Sequence, residues 1–152
     1  MGNIKYINIA LELFGSLLSL IIIVSLSISE SRRMPTGRIF MRVLICHMVI
    51  LLSDALAWIF KGNMALHAVV IVRVSNFLVF SFGYIVLALF TDYLITNIGS
   101  KAEISRKPIR LMYLLCGAAV LLVVISQFTG LFYIIDETNV YHRQPGFWLS
   151  QV

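Results

Sequence analysis

Residues Ile39 to Phe60, IFMRVLICHMVILLSDALAWIF, form a predominantly apolar run long enough to cross the hydrocarbon core of a bilayer as a helix, yet they carry a carboxylate, Asp54. An ionisable side chain at that depth is costly unless it faces a partner or water, so the rest of the chain has to supply one. Helical spacing places His47 nearly two turns before Asp54 on one stripe, with Trp58 one turn beyond. That stripe is expected to point into a bundle.

Three further apolar runs, Ile7 to Ile28, Val69 to Ile95 and Leu111 to Ile135, are also long enough to cross. The expected fold class is therefore all-α: a polytopic membrane protein with four transmembrane helices over 7–28, 39–60, 69–95 and 111–135, forming the start of a larger helical bundle. Composition agrees, because 60% hydrophobic and 12% charged residues, with mean hydropathy +0.95, lie far from the averages of soluble domains. Within 152 residues such a bundle leaves no room for a soluble catalytic domain of roughly 100 residues. No catalytic motif is present, and the chain is not expected to be an enzyme. The first run opens with Lys5 as a signal peptide would, but it is long, Glu12 interrupts it and no small-residue cleavage motif follows.

The net charge of +5 does not point to nucleic acid. Arg32, Arg33, Arg38 and Arg42, then Lys101, Arg106, Lys107 and Arg110, make eight of the twelve basic residues, and all flank apolar spans. By the positive-inside rule, loops 29–38 and 99–110 are cytoplasmic, while the N-terminus, the segment 61–68 and the tail 136–152 lie outside. The expected location is the plasma membrane, with the lipid bilayer as the first partner.

This topology brings three charges to similar depth. Glu12 and Asp54 lie about 8–9 Å, and Arg73 about 6 Å, inside the outer ends of their spans, at roughly 1.5 Å per residue. Asn76 follows Arg73 on one helical face. An Asp54–Arg73 pair is expected, with Glu12 and Asn76 beside it, serving either as a clamp that fixes helix order or as a ligand or proton site. His47 could relay protons to Asp54, against the plainer reading of a histidine bonded to a neighbouring helix. Asp92 belongs to the inner interface, facing a basic loop. Cys46 and Cys116 have no metal-ligand spacing and read as packing residues, and no metal or cofactor site is expected. Gly15 with Ser19, and Ser126 with Gly130 behind Ala119, follow the small-xxx-small pattern of close helix contacts.

The tail DETNVYHRQPGFWLSQV begins with turn-forming residues and contains a polar, aromatic motif, Tyr141-His142-Arg143. After Pro145-Gly146 it resumes as Phe147-Trp148-Leu149, the expected start of a fifth helix in a longer protein.

Three stretches carry a family resemblance: Ser53-Asp54-Ala55-Leu56-Ala57-Trp58; Arg73-Val74-Ser75-Asn76-Phe77-Leu78 with Gly83-Tyr84; and Asn139-Val140-Tyr141-His142-Arg143 with Phe147-Trp148-Leu149-Ser150. Together they resemble the N-terminal multi-span region of bacterial signalling proteins of the sensor histidine kinase or GGDEF diguanylate cyclase type. The resemblance implies a sensor or input module that couples an outer or intramembrane stimulus to a cytoplasmic output domain of the same polypeptide. It also implies a homodimer. An output domain inside the cell requires an odd number of further spans, which an apolar start at Phe147 suits. The rival classes are a small proton-coupled four-helix transporter, suggested by Glu12 but opposed by the strong charge bias, and a structural membrane subunit whose polar cluster only specifies assembly.

Overall fold

Helix boundaries follow local chemistry. Pro35 occupies the first turn of its helix, where its missing N–H costs nothing, and Met34 precedes it in an extended conformation. The turn before it is a short 3-10 segment, Glu30–Arg33, whose Ser29 cap accepts the Ser31 N–H at 3.2 Å. Gly37 lies so close to this turn that a Cβ there would overlap the Ser31 carbonyl. The structure is a computed structural model that describes residues 2–99 and 107–150. Its four helices are α1 (Gly2–Ile28), α2 (Pro35–Phe60), α3 (Leu66–Gly99) and α4 (Lys107–Thr129), all long and apolar enough to cross a membrane. The chain is thus an all-α, four-helix membrane bundle.

The helices pack mainly in sequence, α1 on α2, α2 on α3 and α3 on α4. Small side chains make these seams: Ser16 and Ser19 on α1, Ser53 and Ala55 on α2, and Ala68, Ser75, Ser81 and Ala88 on α3 are all buried. Lipid chains are as apolar as leucine, so such helices gain by close backbone approach rather than by hiding apolar bulk. Gly15 belongs to this class, since a Cβ there would meet a Leu51 methyl at 3.0 Å. On α4 the buried Ile109, Cys116 and Val123 recur every seven residues, the spacing of a left-handed helix crossing. Large side chains such as Leu11, Phe14, Leu114, Leu121 and Phe128 face outward, where lipid would cover them. Near the other end of α3, Asp92 accepts the Tyr113 hydroxyl at 3.2 Å and the Thr96 hydroxyl at 3.3 Å. It therefore ties α3 to α4. Of the loop expected to face it, residues 100–106, with Lys101 and Arg106, lie outside the described residues.

The fourth span ends earlier than expected. Gly130, at φ +66°, terminates α4 by donating its N–H to the Ser126 carbonyl at 2.9 Å, so it is a helix cap and not a packing glycine. The Ser126 hydroxyl then accepts the Phe132 N–H at 2.9 Å and turns the chain back. Tyr133–Ile135, expected as the last turn of that span, is strand β1. It pairs antiparallel with β2, Tyr141–Arg143, in the register Tyr133 to Arg143, Ile134 to His142 and Ile135 to Tyr141. The apolar run continued through the glycine, and tyrosine and isoleucine favour a strand once the helix is broken. Val123, Phe132 and Tyr133 form a buried cluster, packed against Phe77, Phe80, Tyr84 and Tyr141. This cluster seats the hairpin on α3 and α4. Beyond it Pro145–Ser150 forms a short 3-10 turn at the place where a fifth helix was expected to start.

Candidate functional site

Residues spaced i, i+4, i+7 share a helix face. Asp54 and Trp58 of α2 form one such stripe, continued by the cap residue Lys61, and Val72, Asn76 and Val79 of α3 form another that faces it. Between them, at the hairpin end of the bundle, lies a cleft of about 350 Å³. The hairpin forms its remaining wall with Asn139, Tyr141 and Arg143, continued by Phe147. Phe80 closes the apolar side, its ring 5.3 Å from Tyr133 and 6.0 Å from Phe147.

Asn139 holds this wall in place. Its side chain is fully buried, and its Nδ2 donates to the carbonyls of Phe60 at 3.1 Å and Asn63 at 2.8 Å, where α2 ends. Its own carbonyl accepts the Gly62 N–H at 3.2 Å. Phe60 lies in the last turn of α2, whose carbonyls have no partner within the helix, so one asparagine satisfies two acceptors across 76 or more residues of chain. It does so with a left-handed backbone, φ 57°, which asparagine tolerates better than most residues. Its Oδ1 is buried without a hydrogen-bond donor.

Asp136 shapes the turn that presents Asn139. Its carboxylate accepts the Thr138 hydroxyl at 2.7 Å, the Thr138 and Val140 N–H groups at 2.9 Å each, and His142 Nε2 lies 2.7 Å from its other oxygen. The Thr138 hydroxyl, then the Val140 N–H and His142, hold this carboxyl well below the usual carboxylate range. Burial pushes the Tyr133 phenol up, opposed by the hydrogen bond it accepts from Gln127 Nε2 at 2.7 Å, and burial raises Tyr141 as well.

The cleft's two cations rest on aromatic rings. Lys61 Nζ sits 4.7 Å from the centre of the Trp58 ring and Arg143 Cζ 4.4 Å from that of Phe147. Among the described residues the single ion pair is His142–Asp136, so neither Lys61 nor Arg143 is paired with a carboxylate.

The expected polar cluster is therefore assembled in part. Glu12 and Asp54 meet across the α1–α2 seam, and Lys5 Nζ donates to the Ile59 carbonyl at 3.0 Å farther along that seam. Asn76 lines the cleft with Asp54, its Nδ2 bonded to the Val72 carbonyl at 2.8 Å. The expected Asp54–Arg73 pair is corrected: Arg73 is exposed and borders a separate cavity beside Gln127 and Tyr133. The cause is helical phase. Val72 and Asn76 face α2, and one residue along the helix is a rotation of roughly 100°, which turns Arg73 toward the hairpin and α4. His47 is also separated from Asp54. It is exposed on α2, nearly two turns along the helix from Asp54.

The outer motif divides its work: Tyr141 joins the aromatic stack with Tyr133 at 5.3 Å, His142 meets Asp136, and Arg143 enters the cleft. Sequence reasoning missed Asn139 and Lys61 as site residues. An asparagine two residues before an aromatic strand was a visible turn signal, but its contact with α2 depends on tertiary packing. Comparison of the chain with family models, with curated proteins and with solved structures yields no match.

Proposed function

We propose that this chain is the membrane-embedded input module of a bacterial signal-transduction protein, with the hairpin-roofed cleft as the place where the stimulus acts. The observation that carries this reading is the position of Asn139, which lines the cleft and at the same time bonds the end of α2 to the hairpin. Anything that enters the cleft and displaces the hairpin must strain or release those bonds. The perturbation then falls on α2 and α3, which share the most extensive helix interface and run to the opposite end of the bundle. In the orientation given by the basic loops, that end is cytoplasmic and the cleft is outside, in the plasma membrane. Rigid helices pass a displacement along their length, so a shift of α2 against α3 can reach a histidine kinase or diguanylate cyclase domain of the same polypeptide, acting as a homodimer.

The test measures ATP-dependent autophosphorylation and cyclic-dinucleotide synthesis in membranes carrying the product of the complete reading frame. Asn139→Ala is expected to change one of these outputs several-fold at equal abundance. A reading frame that yields neither activity, or an output indifferent to both Asn139→Ala and Asp54→Asn, refutes the proposal.

One observation favours a second reading, the proton-coupled transporter. Glu12 and Asp54 place two intramembrane carboxyl groups side by side across the α1–α2 seam. Proton-driven efflux of an organic cation that disappears in Glu12→Gln would replace the first reading with this one.

A further inference from the structure

We propose that the cleft binds a small, soluble zwitterion, with an ammonium group at its inner end, an anionic group at its rim and an apolar chain between them. This inference rests on the reading of the cleft as the place where the stimulus acts, and it names the chemistry of the ligand.

The inner end presents acceptors. Asp54 meets Glu12 on the α1 side and borders the cleft on the other. Asn76 spends its Nδ2 on the Val72 carbonyl, leaving Oδ1 as its remaining polar atom. Asn139, which its bonds to Phe60 and Asn63 place beside Lys61 at the end of α2, belongs to the wall of the cleft and not to this end. An ammonium group brings three donors and the charge that Asp54 calls for.

The rim has the opposite character. Lys61 and Arg143 are held on the faces of Trp58 and Phe147 without a carboxylate partner, so their charge remains available to an anion. An ammonium ligand without an anionic end would meet one carboxylate and two cations. A simple anion would meet the Asp54 carboxylate. Only a molecule carrying both charges satisfies both ends, and the rings between them suit an apolar linker.

Spacing sets its length. Lys61 lies seven residues beyond Asp54 but folds back over Trp58, so the two poles are separated by between one turn and two, roughly 6–10 Å. That excludes an α-amino acid's adjacent charges and fits charges separated by a chain of several methylenes. A phosphatidylethanolamine headgroup fits poorly, because its acyl chains leave from the anionic end, which here is the rim and not the helix faces that lipid covers.

The probe is 6-aminohexanoate, compared with hexylamine and hexanoate, which each keep one pole. Binding is read from Trp58 fluorescence in the purified chain carrying Trp148→Phe, a change at a ring that is 78% exposed. The zwitterion is expected to bind at least tenfold more tightly than either single-charge analogue. Asp54→Asn is expected to shift the preference toward hexanoate, and Arg143→Gln toward hexylamine, so either variant decides if the other fails to fold. Equal binding of the three compounds, or no saturable response to any, overturns the proposal. The two readings fail separately: tight zwitterion binding with an unresponsive output removes only the input role, and a responsive output with no zwitterion preference removes only the ligand class.

Discussion

Replacing Asn139 with alanine perturbs the hairpin at its tightest point. The substitution removes two hydrogen bonds, to the Phe60 and Asn63 carbonyls, each worth about 1 kcal/mol. Alanine at φ 57° adds about 1 kcal/mol of backbone strain that asparagine partly avoids. Against these stands the loss of the unsatisfied Oδ1, which returns about 1 kcal/mol. The net effect is about 2 kcal/mol against the docked hairpin, or roughly a 30-fold rise in its opening. Amide hydrogen exchange reads this at the Gly62 N–H, which is bonded to the Asn139 carbonyl, and at the Asp136 N–H, which is bonded within the turn. Both are expected to exchange faster by that factor, while amides in the middle of α2 and α3 keep their protection. Asn139→Gly separates the contributions, because glycine carries no strain at positive φ and should recover about 1 kcal/mol relative to alanine. Unchanged exchange at Gly62 in the alanine variant would refute the assignment of Asn139 as the tie between hairpin and α2.

Other outcomes follow from the same geometry. Asp136 is held below its unfolded value, so its contribution to hairpin stability is complete above about pH 4 and is lost progressively as pH falls below that toward the depressed native value; hairpin exchange should accelerate over that acid range in the wild type and show no such dependence in Asp136→Asn. Gly130→Ala places a Cβ 2.8 Å from Ile134 Cγ2 at φ +66° and should cost at least 1–2 kcal/mol on the strain of the left-handed backbone, read as a lower unfolding midpoint in detergent. Asp54→Asn and Arg73→Gln should add to within about 0.5 kcal/mol in a double-mutant cycle, and a coupling above 1 kcal/mol would restore the ion pair that the fold separates. Ser31→Cys and Thr138→Cys, in a chain lacking Cys46 and Cys116, should label with a membrane-impermeant maleimide only at position 138 in intact cells; labelling at 31 alone would invert the topology.

The helical part of the fold was legible because the bilayer imposes length and hydropathy, and α2 is found where the apolar run from Ile39 to Phe60 predicts it. The hairpin was not, since Phe132-Tyr133-Ile134-Ile135 reads as the continuation of an apolar helix, and Gly130, four residues after Ser126, has the spacing of a packing contact. Burial alone could not separate the two, for a glycine at a close contact and a glycine at a left-handed cap look alike in sequence. The carboxylates were legible by depth, which brought Glu12 to Asp54. Depth says nothing of azimuth, and the Asp54–Arg73 pair failed on one residue of helical phase. Arg143 was singled out, but its place in the cleft follows from the hairpin's register, which pairs it with Tyr133 and turns it toward Phe147.

Asp54 is where the two functional readings part. On one side it meets Glu12, and on the other it borders the cleft, so a ligand cation at Asp54 would sit beside both carboxyl groups. Exchange of proton for cation at one carboxylate is what a transporter needs, but it also needs the site to open toward the opposite face. Between Asp54 and that face, α3 presents buried Ser81, Ala88 and Leu89 along its seams, packed by close backbone approach. Opening such a seam over several turns forfeits its packing along the whole length. A ligand that only loosens the Asn139 tie disturbs bonds worth about 2 kcal/mol at one end and leaves the seams intact. The second perturbation lies within reach of a single small ligand's differential binding, which is the limit on any conformational shift that a ligand drives. The proposed input role therefore asks less of the fold than the transporter reading does, and it places the decisive measurement at the hairpin rather than at the carboxyl pair.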